Sequence, residues 1–447
     1  MPPFASPVDA IIRATAAPRD GARAAARARA LTQLGALSAE SAPSLHLAAA
    51  LGDAGTIRRM LADDPGAASR PGGPFQWAPL VQLCYSVFVE SPDRPDRDFA
   101  AAAEALLAAG ADANAGFADP KAPPDESFRS ALYGAAGLAR HAPLVGVLLA
   151  HGADPNDGEV AYHTPEGYDN TCLQLLVEDG RCTAETLVTM LLRKCDWHDE
   201  RGVRWLLAHG ADPRAETHWT PSVLHHAIDR DDALTIVVAL LEHGADPARA
   251  VDGLSAAALA ARTGRGDVLD ALERRGAVLR LHGVDALLAA CARGHASVVR
   301  TLVDTLPTAL DDLQPMAGEV LTRFAGIGNT NGLRALLSLE LPVDARNAAG
   351  HPYHGMAAHS TALHAAAWRG QPAAVRLLIA AGADVRTRDG RDRTPLQLAV
   401  RACVDSPWSD RRSPESVEAL LRAGATPDGI ALPTGYTAID RLLIAGR

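Results

Sequence analysis

Sixteen histidines form the largest set of side chains in this sequence that titrate near neutral pH. His351, His354 and His359 lie close together beside Tyr353, and three imidazoles at such spacing are of the right type to hold Zn²⁺. However, no carboxylate or cysteine stands at a suitable distance along the chain, and a flexible loop does not hold ligands in place beforehand. We therefore interpret this segment as a solvated loop and expect no metal and no cofactor.

Other residues of catalytic type occur in unsuitable places. The paired acids Asp231-Asp232 and Asp311-Asp312 fall at predicted turns, where a carboxylate more often caps a helix than transfers a proton. The sequence contains no nucleophile elbow, zinc-protease helix, Walker loop or dinucleotide-binding glycine pattern. The pattern does not favour an enzyme, and a hydrolase built on the histidine-rich insertion ranks last among the hypotheses.

Six cysteines are scattered without a CxxC pair or a zinc-like spacing, which is typical of reduced thiols. No run of apolar residues approaches the 18 or so that a membrane helix needs. A formal net charge of −10 argues against general affinity for nucleic acid. Together these features predict a cytoplasmic protein.

Apolar residues make up 48% of the chain, and most of them are alanine and leucine rather than aromatic or β-branched residues. This composition favours short, closely packed helices. The string Leu-Leu-x-x-Gly-Ala-Asp recurs along the chain, ending at Asp112, Asp154, Asp212, Asp246 and Asp384. A recurrence of this kind indicates an array of structural repeats.

The most complete unit runs from Thr361 (Thr-Ala-Leu-His-Ala-Ala-Ala-Trp-Arg-Gly) to Asp384 (Leu-Leu-Ile-Ala-Ala-Gly-Ala-Asp). It resembles the ankyrin repeat, as do residues 45–49, 224–227 and 394–399. The resemblance extends over about residues 40–445, and bacterial ankyrin-repeat proteins are the type it suggests. It implies an all-α solenoid of about ten helix-turn-helix units with hairpin-like fingers.

Each letter of the repeat has a physical role. Thr361 and Thr394 can cap first helices, and Pro395 suits the first helical turn. Gly382 permits the positive φ that ends a helix, and Asp384 accepts backbone hydrogen bonds in the turn that follows. The resemblance further implies that His46, His225 and His364 bridge backbone groups of adjacent units.

The organisation along the chain follows from these units. We expect an N-terminal capping helix in residues 1–40 and a repeat array with a C-terminal cap in residues 41–445. Insertions at residues 86–98, 115–130, 157–170, 346–360 and 405–415 are rich in Pro, Gly and charge and are predicted to be loops. Between residues 171 and 213 the register stays open: Thr171 is interpreted as starting a unit, and residues 183–196 could be the second helix of that unit or the first helix of the next.

The resemblance also points to a binding face, a concave groove lined by the residues that end each first helix. Arginine recurs there: Arg230, Arg262, Arg293, Arg369 and Arg401. Trp368 stands beside them, and we expect its ring to be exposed. Aromatic residues in fingers and insertions should rim the same groove: Tyr162, Tyr168, Trp219, Tyr353 and Trp408.

Such a groove would attract an acidic protein partner. A simpler alternative is that each arginine only complements a helix dipole, and packing against a neighbouring helix would equally explain Trp368. The leading hypothesis is a protein–protein interaction scaffold. An effector or immunity protein that inhibits an enzyme through the same face is the alternative, and the oligomeric state stays open.

Overall fold

The structure, a computed structural model, describes residues 7–16, 22–36, 44–89, 97–123, 127–217, 220–404 and 412–446. The chain divides into two compact units, Met1–Trp219 and Thr220–Arg447. Each unit is built from short helices joined by tight turns, and each is considered by itself.

The described residues of the first unit form α-helices, two short 3-10 helices (Pro65–Ser69 and Gly73–Phe75) and one two-stranded sheet. Its helices are α1 (Pro7–Thr15), α2 (Ala22–Gly35), α3 (Leu45–Ala50), α4 (Ala54–Asp63), α5 (Pro79–Cys84), α6 (Phe99–Ala108), α7 (Ala131–Tyr133, continued by a π-helical turn at Gly134–Leu138), α8 (Ala142–Ala150), α9 (Gly158–His163), α10 (Thr171–Glu178), α11 (Ala184–Asp196) and α12 (Glu200–Ala208). Strands β1 (Gly116–Ala118) and β2 (Phe128–Ser130) pair antiparallel, with Phe117 opposite Arg129.

The second unit repeats this construction. Its helices are α13 (Val223–Asp229), α14 (Leu234–Glu242), α15 (Ala256–Arg262), α16 (Gly266–Arg274), α17 (Gly283–Ala292), α18 (Ala296–Thr305), α19 (Pro307–Leu313), α20 (Ala317–Ile327), α21 (Thr330–Leu337), α22 (Ala362–Trp368), α23 (Pro372–Ala380), α24 (Pro395–Val404), α25 (Glu415–Arg422) and α26 (Thr437–Ala445). Strands β3 (Ala250–Val251) and β4 (Leu254–Ser255) form a second antiparallel hairpin.

Helices alternate between two rows. In the first unit α3, α5, α7, α9 and α11 pack successively against one another, while α4, α6, α8 and α10 form the second row. In the second unit α13, α15 and α17 form part of one row, and α20, α22 and α24 continue the same arrangement. The prediction of an all-α repeat solenoid with hairpin fingers is confirmed.

The turn chemistry expected from the repeat is present. Gly110, Gly152, Gly210, Gly244 and Gly382 all have positive φ. The aspartates of the same strings accept a backbone N–H two residues further on, at 2.8 Å for Asp384 and Arg386. These side chains close the turn that leads from a second helix into the next finger.

The repeat histidines bridge neighbouring units as expected. The Nε2 atom of His364 lies 3.0 Å from the Arg393 carbonyl oxygen, and its Nδ1 atom lies 2.9 Å from Thr361 Oγ1. His225 Nε2 makes the equivalent contact with the Leu254 carbonyl at 3.0 Å, and His46 Nε2 with the Trp77 carbonyl at 3.1 Å.

The N-terminal helices pack on the first repeat. Ile11 and Ile12 of α1 are buried together with Leu47 of α3. A capping role for this region remains a prediction.

Two sequence interpretations of residues 157–213 were wrong or incomplete. The segment 157–170 is not a loop throughout, because Asp157 caps a short helix, α9, through the Glu159 N–H at 2.9 Å. Since α9 packs on α11 and α10 packs on α8, Thr171 begins a second helix and not a new unit. Residues 183–196, as α11, are the first helix of the next unit.

Candidate functional site

The expectation of an exposed ring at Trp368 was wrong. The residue is only 8% exposed and belongs to a buried cluster with Met356, Ala365 and Leu398. Its indole Nε1–H donates to the His354 carbonyl oxygen at 2.7 Å. The insertion at 346–360 folds over the ring, so Trp368 serves packing in this structure.

Arg369, its neighbour, is also buried and is paired within the protein. Its Nη2 atom lies 2.6 Å from Asp231 Oδ2, and Arg265 Nη1 lies 3.4 Å from the other oxygen of the same carboxylate. Asp231-Asp232, at the end of α13, thus engages two buried guanidinium groups rather than acting as an isolated cap.

Most of the remaining predicted arginines have intramolecular partners. Arg293 lies 2.7 Å from Asp270 and from Glu273, and Arg262 lies 2.6 Å from Asp285. Arg230 contacts Asp229 at 3.1 Å, with its guanidinium 4.0 Å from the Tyr353 ring centroid. Arg401 is exposed, with its guanidinium carbon 5.5 Å from the Trp368 ring centroid. Much of the positive charge expected in the groove is therefore balanced by carboxylates of the same chain.

The histidine-rich insertion is not a solvated loop, contrary to the sequence interpretation. His354 is buried, with Nε2 3.2 Å from the Asp229 carbonyl oxygen and its ring 4.4 Å from that of His351. Burial lowers the pKa of His354 far below its ordinary value, and the charges of Arg369 and Arg323 act in the same direction.

The structure brings the carboxylate of Asp229 close to these histidines, although Asp229 is distant from them along the sequence. His351 Nε2 lies 3.6 Å from it, and Arg323 forms a short hydrogen bond to it. Burial alone would raise the pKa of Asp229, but the nearby imidazole of His351 and the charge of Arg323 outweigh burial and hold this pKa well below its ordinary value. Within the described residues, no three His, Cys, Asp or Glu side chains are grouped so as to hold a metal ion.

Four large aromatic side chains of the described residues are exposed, and all belong to the first unit. They are Phe128 at 53%, Tyr162 at 38%, Tyr168 at 68% and Trp197 at 36%. Tyr168 and Trp197 meet edge to face, with ring centroids 6.3 Å apart. Arg193 of α11 covers the Tyr162 ring at 4.0 Å and pairs with Asp196, the residue before Trp197. We call Tyr162, Tyr168 and Trp197 the aromatic patch.

Buried polar contacts fix the loop that carries Tyr168. Lys194 of α11 is fully buried, and its Nζ donates to the Gly167 carbonyl at 2.8 Å and to Asp199 at 2.9 Å. Asn170 Nδ2 donates to the same Asp199 carboxylate at 2.9 Å. Burial lowers the pKa of Lys194, while Asp199 opposes that change. The loop that carries Tyr168 is therefore fixed on both sides of the tyrosine by contacts within the chain.

A row of ion pairs and hydrogen bonds centred on His163 lies beside Tyr162. His163 lies between two carboxylates, 2.8 Å from Glu166 and 3.2 Å from Glu159. Glu166 also accepts from Arg193 at 3.1 Å, and Glu159 from Arg129 at 3.0 Å. This row connects α9 to α11 through Arg193, whose guanidinium lies against the Tyr162 ring.

Trp197 was not among the predicted site residues, although it occupies a predicted type of position. It follows the last residue of α11, as Arg369 follows α22. In the next turn position His198 has φ of 51°, where the other unit has Gly370. The sequence does not reveal that Trp197 and Arg369 are equivalent, because His198 replaces the turn glycine and the repeat register in this segment is open at the level of sequence. Trp219 and Trp408 lie outside the described residues.

The repeating helix pairs, their finger hairpins and the bridging histidines define a helical-repeat protein. Residues 354–399 match the family model for ankyrin repeats in many copies. This match identifies ankyrin repeats in the second unit of the chain.

A solved structure, the crystal structure of the human ASB11 ankyrin repeat domain, is similar to this chain. The identity is 22%, the match covers 53% of this chain and 98% of that one, and the TM-score is 0.24. No helix among the described residues has the length and apolar character needed to cross a bilayer.

Proposed function

We propose that this protein is a non-enzymatic scaffold that binds another protein, and that the aromatic patch is the contact surface. The observation that carries the proposal is the exposure of two tyrosines and a tryptophan on α9, at the end of α11 and on the loop between α9 and α10, with Tyr168 against Trp197 and Tyr162 against Arg193. Tyr, Trp and Arg are the residue types that supply most binding energy at protein interfaces. Ankyrin repeats in general bind other proteins.

Preorganisation supports the choice of this surface. Lys194 and Asn170 hold the loop at both ends, so little conformational freedom is lost when a partner binds. The arginines of the second unit are less available to a partner, because Arg369 is buried and Arg293 is already paired with two carboxylates. An acidic partner on that stripe would have to compete with these internal pairs.

The cysteines support a reducing compartment, which we propose to be a bacterial cytoplasm. All six are thiols, and five are buried. Burial raises the pKa of Cys172 to about 12 and that of Cys182 to about 11. Thiols that stay protonated are poor nucleophiles and poor metal ligands, which agrees with a binding role.

The test is quantitative affinity capture from a lysate of the source organism with the full chain as bait. The variant Tyr162→Ser/Tyr168→Ser/Trp197→Ser should lose at least about tenfold in capture of the main partner, because the anchoring rings are gone. Phe128→Ser is the matched control, since it removes an equally exposed ring outside the patch and should leave capture unchanged.

Circular dichroism of both variants must match the parent chain. Equal capture by the triple variant and the parent would contradict the proposed surface. An assay of the captured partner's own activity separates the two forms of the hypothesis: a scaffold leaves that activity intact, whereas an effector or immunity protein suppresses it.

A further inference from the structure

The segment that carries the aromatic patch is also the acidic part of the chain. Residues 154–200 contain eleven Asp and Glu but three Lys and Arg, an excess of eight negative charges. The whole chain has a net charge of −10, so the remaining residues are close to balance. Most of the excess negative charge therefore belongs to the segment that carries the exposed rings, and it favours a negative potential on this part of the first unit.

The cations of this segment near the patch are largely engaged. Arg193 is mostly buried between Glu166 and Asp196, and Lys194 is buried against Asp199. Arg140 is exposed and approaches the loop at Gly167, so one cation borders the patch.

Asp169 is the exposed carboxylate next to Tyr168. Hydrogen bonds from the Thr171 hydroxyl and N–H keep its pKa below its ordinary value, so it is ionised at neutral pH. Its position places a negative charge at the edge of the patch, where it can meet a ligand.

The rings themselves are suited to a cation. Tyr168 and Trp197 stand at 89° to each other and form two walls of an open corner. Tyr162 already carries the guanidinium of Arg193 over its face at 4.0 Å. Aromatic faces attract ammonium and guanidinium groups within about 6 Å, and tryptophan does so most strongly.

We infer that the aromatic patch binds a lysine- or arginine-rich segment of a partner protein, with a basic side chain against Tyr168 and Trp197. This inference rests on the proposed function and specifies the chemistry of the partner. The same negative potential repels an acidic segment, and it repels the phosphates of a single-stranded nucleic acid, which would otherwise stack on such rings.

Fluorescence anisotropy with defined probes tests the inference on the full chain. The probes are a fluorescein-labelled peptide of Lys-Gly-Ser repeats, a Glu-Gly-Ser peptide of equal length, and an oligothymidylate. We expect the lysine peptide to bind best, with an affinity that falls as salt is added.

Two variants locate the binding. The triple serine variant should bind the lysine peptide at least about tenfold more weakly. Asp169→Asn keeps the acceptor for Thr171 but removes the charge, and should weaken binding roughly two- to fivefold. Asp384→Asn is its control, because Asp384 is also exposed and also accepts a backbone N–H two residues on.

The possible results are distinct. Equal binding of the lysine peptide by the parent and the triple variant would overturn the inference, since general attraction to an acidic protein would explain it. Preference for the glutamate peptide or the oligothymidylate would overturn it as well. If the lysine peptide does not bind, while the triple variant still loses its partner in affinity capture, the inference fails and the proposed function stands.

Discussion

At the scale of single residues, buried histidines stabilise the contacts between repeat units, and protonation of their imidazoles at low pH would weaken those contacts. His364 spans two units, from Thr361 to the Arg393 carbonyl. We expect His364→Ala to reduce the free energy of unfolding by about 1–3 kcal/mol, because buried hydrogen-bonding groups lose their partner. Hydrogen exchange should show the loss chiefly beyond residue 360.

His295→Ala is the control for that substitution, since His295 is exposed and its side chain makes no cap hydrogen bond. Unchanged protection beyond residue 360 in His364→Ala would show that the bridge contributes nothing.

The buried histidines also predict a pH dependence. Burial lowers the pKa of His46, His225, His354 and His364 in the folded state. The unfolded state therefore binds more protons once the pH falls below about 6.5. Stability is fully present above that value and declines towards the lower folded-state pKa values.

Urea titrations at pH 7 and pH 5 should show this decline, by about 1 kcal/mol or more. His364→Gln should show a smaller decline than the parent chain. A free energy of unfolding that stays constant or rises on acidification would refute this explanation.

Trp368 and Trp197, at the ends of first helices, show that sequence reveals the position of a residue in the repeat but not its exposure. Position along the repeat identified Trp368 as a groove residue, yet the insertion that buries it is fixed by long-range contacts with Asp229 and Arg230, which have no sequence signal. Trp197 has the same kind of position and is exposed. Helix-end position can be predicted from spacing, but exposure depends on which loops fold back.

At the scale of elements, two helices can come so close that only glycine fits between their backbones. A Cβ atom on Gly266, at the start of α16, would lie 2.4 Å from the Ala292 carbonyl oxygen at the end of α17. We expect Gly266→Ala to destabilise the protein by about 1–3 kcal/mol, because neither backbone can move without disturbing its unit.

Gly146→Ala is the matched control within a helix. Gly146 lies inside α8 with open space around its Cβ position. Alanine there should be neutral or stabilising by up to about 1 kcal/mol, owing to its better helix propensity. Thermal unfolding of both variants measures the difference, and equal midpoints would contradict the packing described for α16 and α17.

Helix pairs were predicted well wherever the repeat string is intact, as in residues 361–384. Prediction failed at α9, because Pro165, Gly158 and the charged residues around them suggest a loop. The Asp157 cap and packing between α7 and α11 stabilise this short helix instead. Local composition does not record such tertiary support.

At the scale of the whole molecule, a repeat array should tolerate loss of its end. Each unit of such an array is stabilised by its neighbours, so truncation after residue 344 should leave residues 1–219 folded. Hydrogen exchange of the truncated chain should show parental protection in that range. General loss of protection there would contradict a solenoid.

The insertion at 346–360 takes part in contacts between residues that are far apart along the sequence of the second unit. It joins His354 to Asp229 across 125 positions of sequence, and Arg369 joins Asp231 across 138. Contacts this distant in sequence add to the contact order of the second unit, and folding slows as contact order rises. They also couple α22 to α13, so the intervening helices cannot fray one at a time from the C-terminal end. The part of the second unit from α13 to α22 should therefore refold late and unfold as one block.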